Sequence, residues 1–357
     1  MMGSLISYAI WNNKGGVGKS TITFHLATRY AEQNPHKRVL VIDLCPQSNS
    51  SMMLLGGGHR GEQFVFNECV RQPVPRTVVG YLSTVISRGS AAPLPNPYEF
   101  LILPNSVNDT IPRNLLLMCG DGNLEPMAPA ISQAANAPSL MPGVSPWLWV
   151  HRVFRQLIES LAQLDQSDLV VFIDTNPSFS IYTELAISAA DRLLTPVNAD
   201  DSSRTAAQAM FILLHGQEPP HPIYGQWTFA AHAAMHQLPI PQIHLIIGNR
   251  LTQHRGPAAA FQALSQATSL ELYNGYIRRP EYFTRRQNQI LDINDFQNNY
   301  SVPLRDFNTA GIVSAHLGAR LSSMHEGRYV VHGDEVSIAR ASVVQCLDAI
   351  DTVVAYL

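Results

Sequence analysis

Residues 5–11, Leu-Ile-Ser-Tyr-Ala-Ile-Trp, form a nearly unbroken apolar run, and a second run lies at 38–43 around Val39–Ile42. Short apolar runs without strict alternation predict strands buried on both faces of a sheet. The pattern changes between them. From Ser20 to Gln33 the apolar residues recur at helical spacing, and Pro35 with His36-Lys37-Arg38 ends the stretch. Strand, glycine-rich turn, helix and strand in sequence make a βαβ unit, and hence a parallel sheet. Further strands are predicted at 99–104, 168–174, 192–197 and 243–248, with Glu271–Ile277 as the last of the sheet. Helical spacing lies between several of them, as at 150–164 and 202–215. One mostly parallel, doubly wound α/β sheet flanked by helices, in a single domain spanning 1–357, accounts for this order.

Two regions depart from the rhythm. Residues 56–146 carry Gly56-Gly57-Gly58-His59-Arg60-Gly61 and many prolines, and read as an irregular insertion of loops and short elements. Within it 136–147 reads as an exposed loop. The tail, 334–357, reads as a helical extension. Its apolar residues at 343, 347, 350, 354 and 357 fall on one face. It has no lysine and carries Asp348 and Asp351, which argues against a basic helix lying on a membrane. The expectation is a helix packed on the protein's own core.

Composition narrows the class. Of 357 residues 46% are hydrophobic, enough for a large core, whereas only 14% are charged, against about 25% in ordinary soluble domains. So sparse a charged surface suits a protein that covers part of itself with a partner. The net charge of −3 excludes a chain that is basic overall, so nucleic-acid binding would need a local patch. The cysteines, Cys45, Cys69, Cys119 and Cys346, lack zinc spacing and do not suggest a disulfide framework. No signal peptide, membrane span or membrane anchor is evident, so a cytoplasmic, reduced protein is expected.

The chemistry starts in the first turn. In Asn13-Lys14-Gly15-Gly16-Val17-Gly18-Lys19-Ser20-Thr21 the glycines let backbone N–H groups curl around a phosphate. Lys19 can reach the phosphates, Ser20 can supply a hydroxyl to magnesium, and the following helix adds its positive end. One lysine suffices for this, yet there are two.

The octapeptide Lys14–Thr21 resembles the deviant Walker A motif of the ParA/MinD superfamily of P-loop ATPases. Three more segments resemble it in the family's order: 38–51 with Asp43 and Pro46-Gln47, the Walker B strand 168–178 ending at Asp174, and 187–203. The likeness spans about 5–325 and favours the ParA branch through Pro46-Gln47. The resemblance implies ATP and Mg2+ as ligands and a homodimer that forms on ATP binding. It implies that Lys14 crosses that dimer interface to the partner's phosphates, which explains the second lysine. It places Gly15, Gly16, Val17, Gly18, Lys19, Ser20, Thr21 and Asn249 against the nucleotide, Asn249 at the adenine. Pro196 and Asn198–Asp200 fall near the base or ribose. Ser20, Asp43 and Asp174 fall at magnesium, and Lys14, Lys19, Asp43 and Cys45 in the catalytic group.

Two residues break the family pattern. Asn176 stands where the family has proline, which predicts a looser turn. Cys45 stands where it has a second aspartate that orients the attacking water, which predicts slow hydrolysis. The segment 276–286 holds Arg278, Arg279, Arg285 and Arg286 among three aromatics. The resemblance implies a non-specific DNA surface there, and suggests nucleoid association. The expected role is segregation or positioning of a cargo through a ParB-like or other adaptor protein. The alternative is a nucleotide-switch regulator of a membrane-associated synthase, flagellar or secretion assembly that makes no use of DNA. An iron–sulfur donor of the same fold is disfavoured, because Cys119 and Cys346 do not sit in the corresponding segments.

Overall fold

In the strand β1 (Leu5–Ile10), Tyr8 and Ile10 face one layer of the protein, while Ala9 and the following Trp11 face the other, and all four are fully buried. A strand covered on both sides belongs inside a parallel sheet. The computed structural model describes residues 3–139, 143, 145–249, 259–304 and 308–357. Among them six more strands complete the sheet: β2 (Arg38–Leu44), β3 (Leu115–Met118), β4 (Leu169–Thr175), β5 (Arg192–Val197), β6 (Gln242–Gly248) and β7 (Ser301–Pro303). The order is β3-β2-β4-β1-β5-β6-β7, and every pairing is parallel. Helices cover both faces. α1 (Lys19–Gln33) and the C-terminal helix Arg340–Val354 lie on the Tyr8 side. The helices Val153–Asp165, Ile181–Ala189 and Asp201–His215 lie on the Trp11 side.

Several expectations shift. Residues 99–104 are not a strand: Ile102 makes one antiparallel bridge to Leu117, and short 3-10 turns flank it. The edge strand is β3, within the stretch expected to be irregular. That stretch also holds the helices Val78–Arg88 and Leu124–Ala135, so it is largely ordinary sheet and cover. Of the loop expected at 136–147, residues 140–142 and 144 lie outside the described residues. Glu271–Ile277 is no strand either. It belongs to the helix Ala259–Arg278, where a Cβ on Gly275 would meet the Phe211 ring at 2.4 Å. This glycine lets two helices approach closely. The last strand is β7.

The tail is helical only from Arg340. Residues 334–338 form β9, paired antiparallel with β8 (Gly327–Val331). The helix itself packs on the core through Val343, Cys346, Ile350 and Val353. Asp351 takes a forked pair of bonds from Arg29 at 2.6 and 2.7 Å, and Tyr8 Oη donates to Leu357 O at 2.9 Å. The chain terminus is thereby tied to α1 and the central strand. All four cysteines are buried, and none forms a disulfide among the described residues. Among the described residues no helix is long and apolar enough to cross a membrane.

Candidate functional site

The carboxyl ends of β1, β2 and β4 converge at the turn between β1 and α1. In open α/β sheets this edge is where ligands bind. The turn is braced on both sides. Asn12 Nδ2 donates to Pro196 O at 2.7 Å, and Asn12 Oδ1 accepts from Lys14 N at 2.9 Å. Gly16 and Gly18 have φ of 70° and 81°, a left-handed conformation that favours glycine. Asn249 Nδ2 donates to Val17 O at 2.8 Å, and a Cβ on Gly18 would stand 2.5 Å from that same nitrogen. Asn249, expected against a base, here also braces the loop. Of the expected Gly248-Asn249-Arg250 turn, residue 250 lies outside the described residues.

Among the described residues no side chain caps the N-terminus of α1, which leaves its first amides open to a ligand. Gly15, Gly16, Val17, Gly18, Lys19, Ser20 and Thr21 line one wall of a cleft of about 550 Å3, and Cys45, Gln47, Thr175, Met52 and His316 line others. The His316 ring centroid is 4.6 Å from that of His332, so the β8–β9 turn reaches the cleft's rim.

The two lysines part company. Lys19 is buried, and its Nζ donates back to the loop carbonyls of Asn12 at 3.2 Å and Lys14 at 2.9 Å. Burial pulls its pKa down to about 8, against the pull of Asp174 and Cys45. Lys14 turns the other way. Its Nζ donates to the Asp200 carboxylate and, at 3.2 Å, to Ser203 Oγ. Asp200 is also the N-cap of the helix Asp201–His215, where it accepts from Ser203 N at 3.0 Å. Burial opposes its charge, but bonds from Lys14, Ser202 and Ser203 prevail and hold the carboxyl at about 2.

Two carboxylates stand side by side behind the loop. Asp43 ends β2 in register with Asp174 on β4, and both are fully buried. Asp43 has both oxygens engaged: Oδ1 accepts from Cys45 N at 3.1 Å, and Oδ2 from Ser51 N at 2.9 Å and Ser51 Oγ at 2.7 Å. The same does not hold on the neighbouring strand. Asp174 Oδ1 accepts from Thr175 N at 3.0 Å, while Oδ2 has no hydrogen-bond partner among the described residues. Burial raises both pKa values, Asp174 to about 7, with the neighbouring Asp43 charge adding to the effect. The hydroxyls of Ser20 and Ser50 lie close enough to Asp174 to favour its ionised form. A hard divalent cation with a water shell is what such an arrangement suits: a buried acceptor without a donor, a second carboxylate and a nearby loop hydroxyl. The residues present therefore fit magnesium.

Cys45 lies in the cleft wall, 3% exposed, with Sγ 3.6 Å from Gln47 Oε1. Burial, then Asp43 and Asp174, push its thiol up to about 12, so it is neutral. The Asn176 turn is not loose. Asn176 Oδ1 accepts from Ser178 N at 3.2 Å and its Nδ2 donates to Tyr182 Oη at 3.3 Å, so the side chain secures the turn that proline would have stiffened.

The arginine segment does not form one basic face. Arg286 points inward: it donates to His244 O, and its guanidinium lies over the Tyr300 ring at 5.0 Å and the Tyr356 ring at 5.8 Å. The aromatics of the segment itself pack elsewhere, Tyr276 and Phe283 with Phe296, and Tyr282 on His215. Arg279 is paired with Glu218 and, at 3.6 Å, with Glu281, and Arg278 lies 3.8 Å from Glu271. Arg285 is exposed.

Sequence reasoning missed the partner of Lys14 and the roles of Ser50 and Ser51. Asp200 was placed only near a base or ribose, and its N-cap position before Ser202-Ser203 was the available signal.

A family model described as the CobQ/CobB/MinD/ParA nucleotide binding domain matches residues 8–313. A search of proteins of curated function finds no match. Three solved structures are similar in fold. A McdA variant from Cyanothece in complex with ATP has 15% identity and a TM-score of 0.61, over 99% of this chain and 96% of that one. Protein DIP2308 from Corynebacterium diphtheriae has 17% identity and a TM-score of 0.53, over 88% and 97%. Cobyrinic acid a,c-diamide synthase from Mycobacterium smegmatis with bound ADP and magnesium has 16% identity and a TM-score of 0.50, over 88% and 92%.

Proposed function

The chain belongs to the CobQ/CobB/MinD/ParA nucleotide-binding family, and on that premise we propose that it is a ParA-like, magnesium-dependent ATPase whose ATP-bound form dimerises and acts as a switch. The observation that carries the reading is the divergence of the two lysines. Lys19 stays with its own loop, while Lys14 is held away from it by Asp200 and Ser203. A cation parked outside its own phosphate site is available to another. Solved relatives in fold that hold ATP, or ADP with magnesium, support the choice of ligand.

In this reading the loop amides, Lys19 and Thr21 bind the phosphates. Ser20 and Asp174 hold magnesium, which when bound neutralises phosphate charge. Asp43 fixes the 45–51 turn beside them. Cys45 offers the attacking water a neutral thiol, a weak acceptor with one heavy atom. Hydrolysis is therefore slow and the ATP dimer long-lived.

The cellular role we propose is positioning or segregating a cargo, in the cytoplasm and over non-specific DNA, with an adaptor stimulating turnover. The ion pairs of Arg278 and Arg279 favour a second reading, a switch on a synthase, flagellar or secretion assembly that makes no use of DNA. Calorimetry with Mg2+ and ATP tests nucleotide binding, and Lys19→Ala should abolish it. DNA binding is tested with Arg278, Arg279 and Arg285 all changed to alanine. If the protein uses DNA, affinity falls and its salt slope becomes shallower. A wild-type ATP form that ignores DNA at low salt supports the second reading.

A further inference from the structure

Four side chains meet where β2 and β4 end, and they are not equivalent. Asp43 has accepted three hydrogen bonds, two of them on Oδ2. Its oxygens hold the turn that carries Cys45 and Ser51. Asp174 Oδ2 and Ser50 Oγ, both in fully buried residues, have no hydrogen-bond partner among the described residues. Ser50 still lies beside both carboxylates and favours their ionised forms. One unpartnered buried acceptor calls for an explanation, and two on neighbouring segments beside a phosphate loop call for a shared one. Solvent does not supply it, since neither residue is exposed.

Magnesium keeps several of its waters when it binds a nucleotide, and each water has two protons to donate. Resting on the ATP reading above, we propose that Ser50 is a positioning residue for that cation. Its hydroxyl oxygen and Asp174 Oδ2 each accept a hydrogen bond from magnesium-bound water, while Asp43, which already accepts three hydrogen bonds from the 45–51 turn, mainly serves that turn. Ser20 remains the hydroxyl that meets the cation directly. The inference changes the expected division of labour: of the two aspartates mainly Asp174 faces the water shell, and a serine takes the second place.

The test compares affinity for a fluorescent ATP analogue with Mg2+ and with EDTA, in wild type, Ser50→Ala and Ser50→Thr. Ser50→Ala should lose about tenfold in affinity with Mg2+ and stay within about twofold in EDTA, because outer-shell partners act through the metal. Ser50→Thr keeps a hydroxyl and should recover most of the loss. Thermal unfolding without nucleotide supplies a second readout. The Ser50 hydroxyl has no hydrogen-bond partner among the described residues, so the midpoint of Ser50→Ala should change little. Equal loss in Mg2+ and EDTA, a lowered midpoint without nucleotide, or no loss at all would overturn the proposal. A wild-type protein that binds no ATP in either buffer would instead refute the ATPase reading itself.

Discussion

Replacing Asp200 with asparagine removes the charge that holds Lys14 and little else. Asparagine is as good an N-cap as aspartate, so the bond from Ser203 N survives. The lysine side chain is 17% exposed and the aspartate 43%, so solvent screens the pair and each is worth about 1 kcal/mol. If dimerisation carries both Lys14 side chains to the partner's phosphates, two such pairs must break per dimer. The variant is then spared about 2 kcal/mol, which is roughly a 30-fold tighter dimer. Sedimentation equilibrium with Mg2+ and a non-hydrolysable ATP analogue reads this directly. The gain should shrink as salt rises, because the wild-type pair is itself weakened. An unchanged or weaker Asp200→Asn dimer would show that Lys14 does not leave Asp200, or that Asp200 supports the interface, and either result refutes the reasoning.

Two further outcomes follow from the site and its surroundings. Cys45→Asp should speed single-turnover hydrolysis by about 10²-fold or more, since a carboxylate orients water where a thiol does not. Wild-type turnover equal to or faster than that of the variant would show that Cys45 is not the brake. Arg286→Ala should lower stability by about 2 kcal/mol in denaturant titration, because a charge-assisted bond to His244 O and packing on Tyr300 are lost together. An unchanged midpoint would mean that the side chain belongs to the surface after all.

The phosphate loop was legible because its demands are local. Gly16, Gly18, Lys19 and Ser20 have to occupy fixed places between a strand and a helix, and the pattern of residue types records it. The central strands were legible for the same reason, as buried apolar runs bounded by turns. β3 was not: Leu115–Met118 is four apolar residues, none β-branched, and periodicity cannot assign so short a run. Tyr273, Gly275 and Tyr276 look like strand residues, yet they serve a helix that packs against Phe211. Arg286 shows a different limit. Four arginines in eleven residues read as a surface, but whether a cation points outward depends on Tyr300 and Tyr356, far along the chain. The Lys14–Asp200 pair spans 186 residues and no local pattern announces it.

The central claim is that ATP closes this chain into a dimer through Lys14. Sedimentation velocity on wild type and Lys14→Ala, each with Mg2+ and either ATP or ADP, tests it most directly. The account predicts that wild type sediments as a dimer with ATP and a monomer with ADP. It predicts that Lys14→Ala binds ATP through Lys19 and the loop amides yet stays a monomer. A Lys14→Ala dimer as stable as wild type, or a wild type whose state ignores the nucleotide, would contradict it.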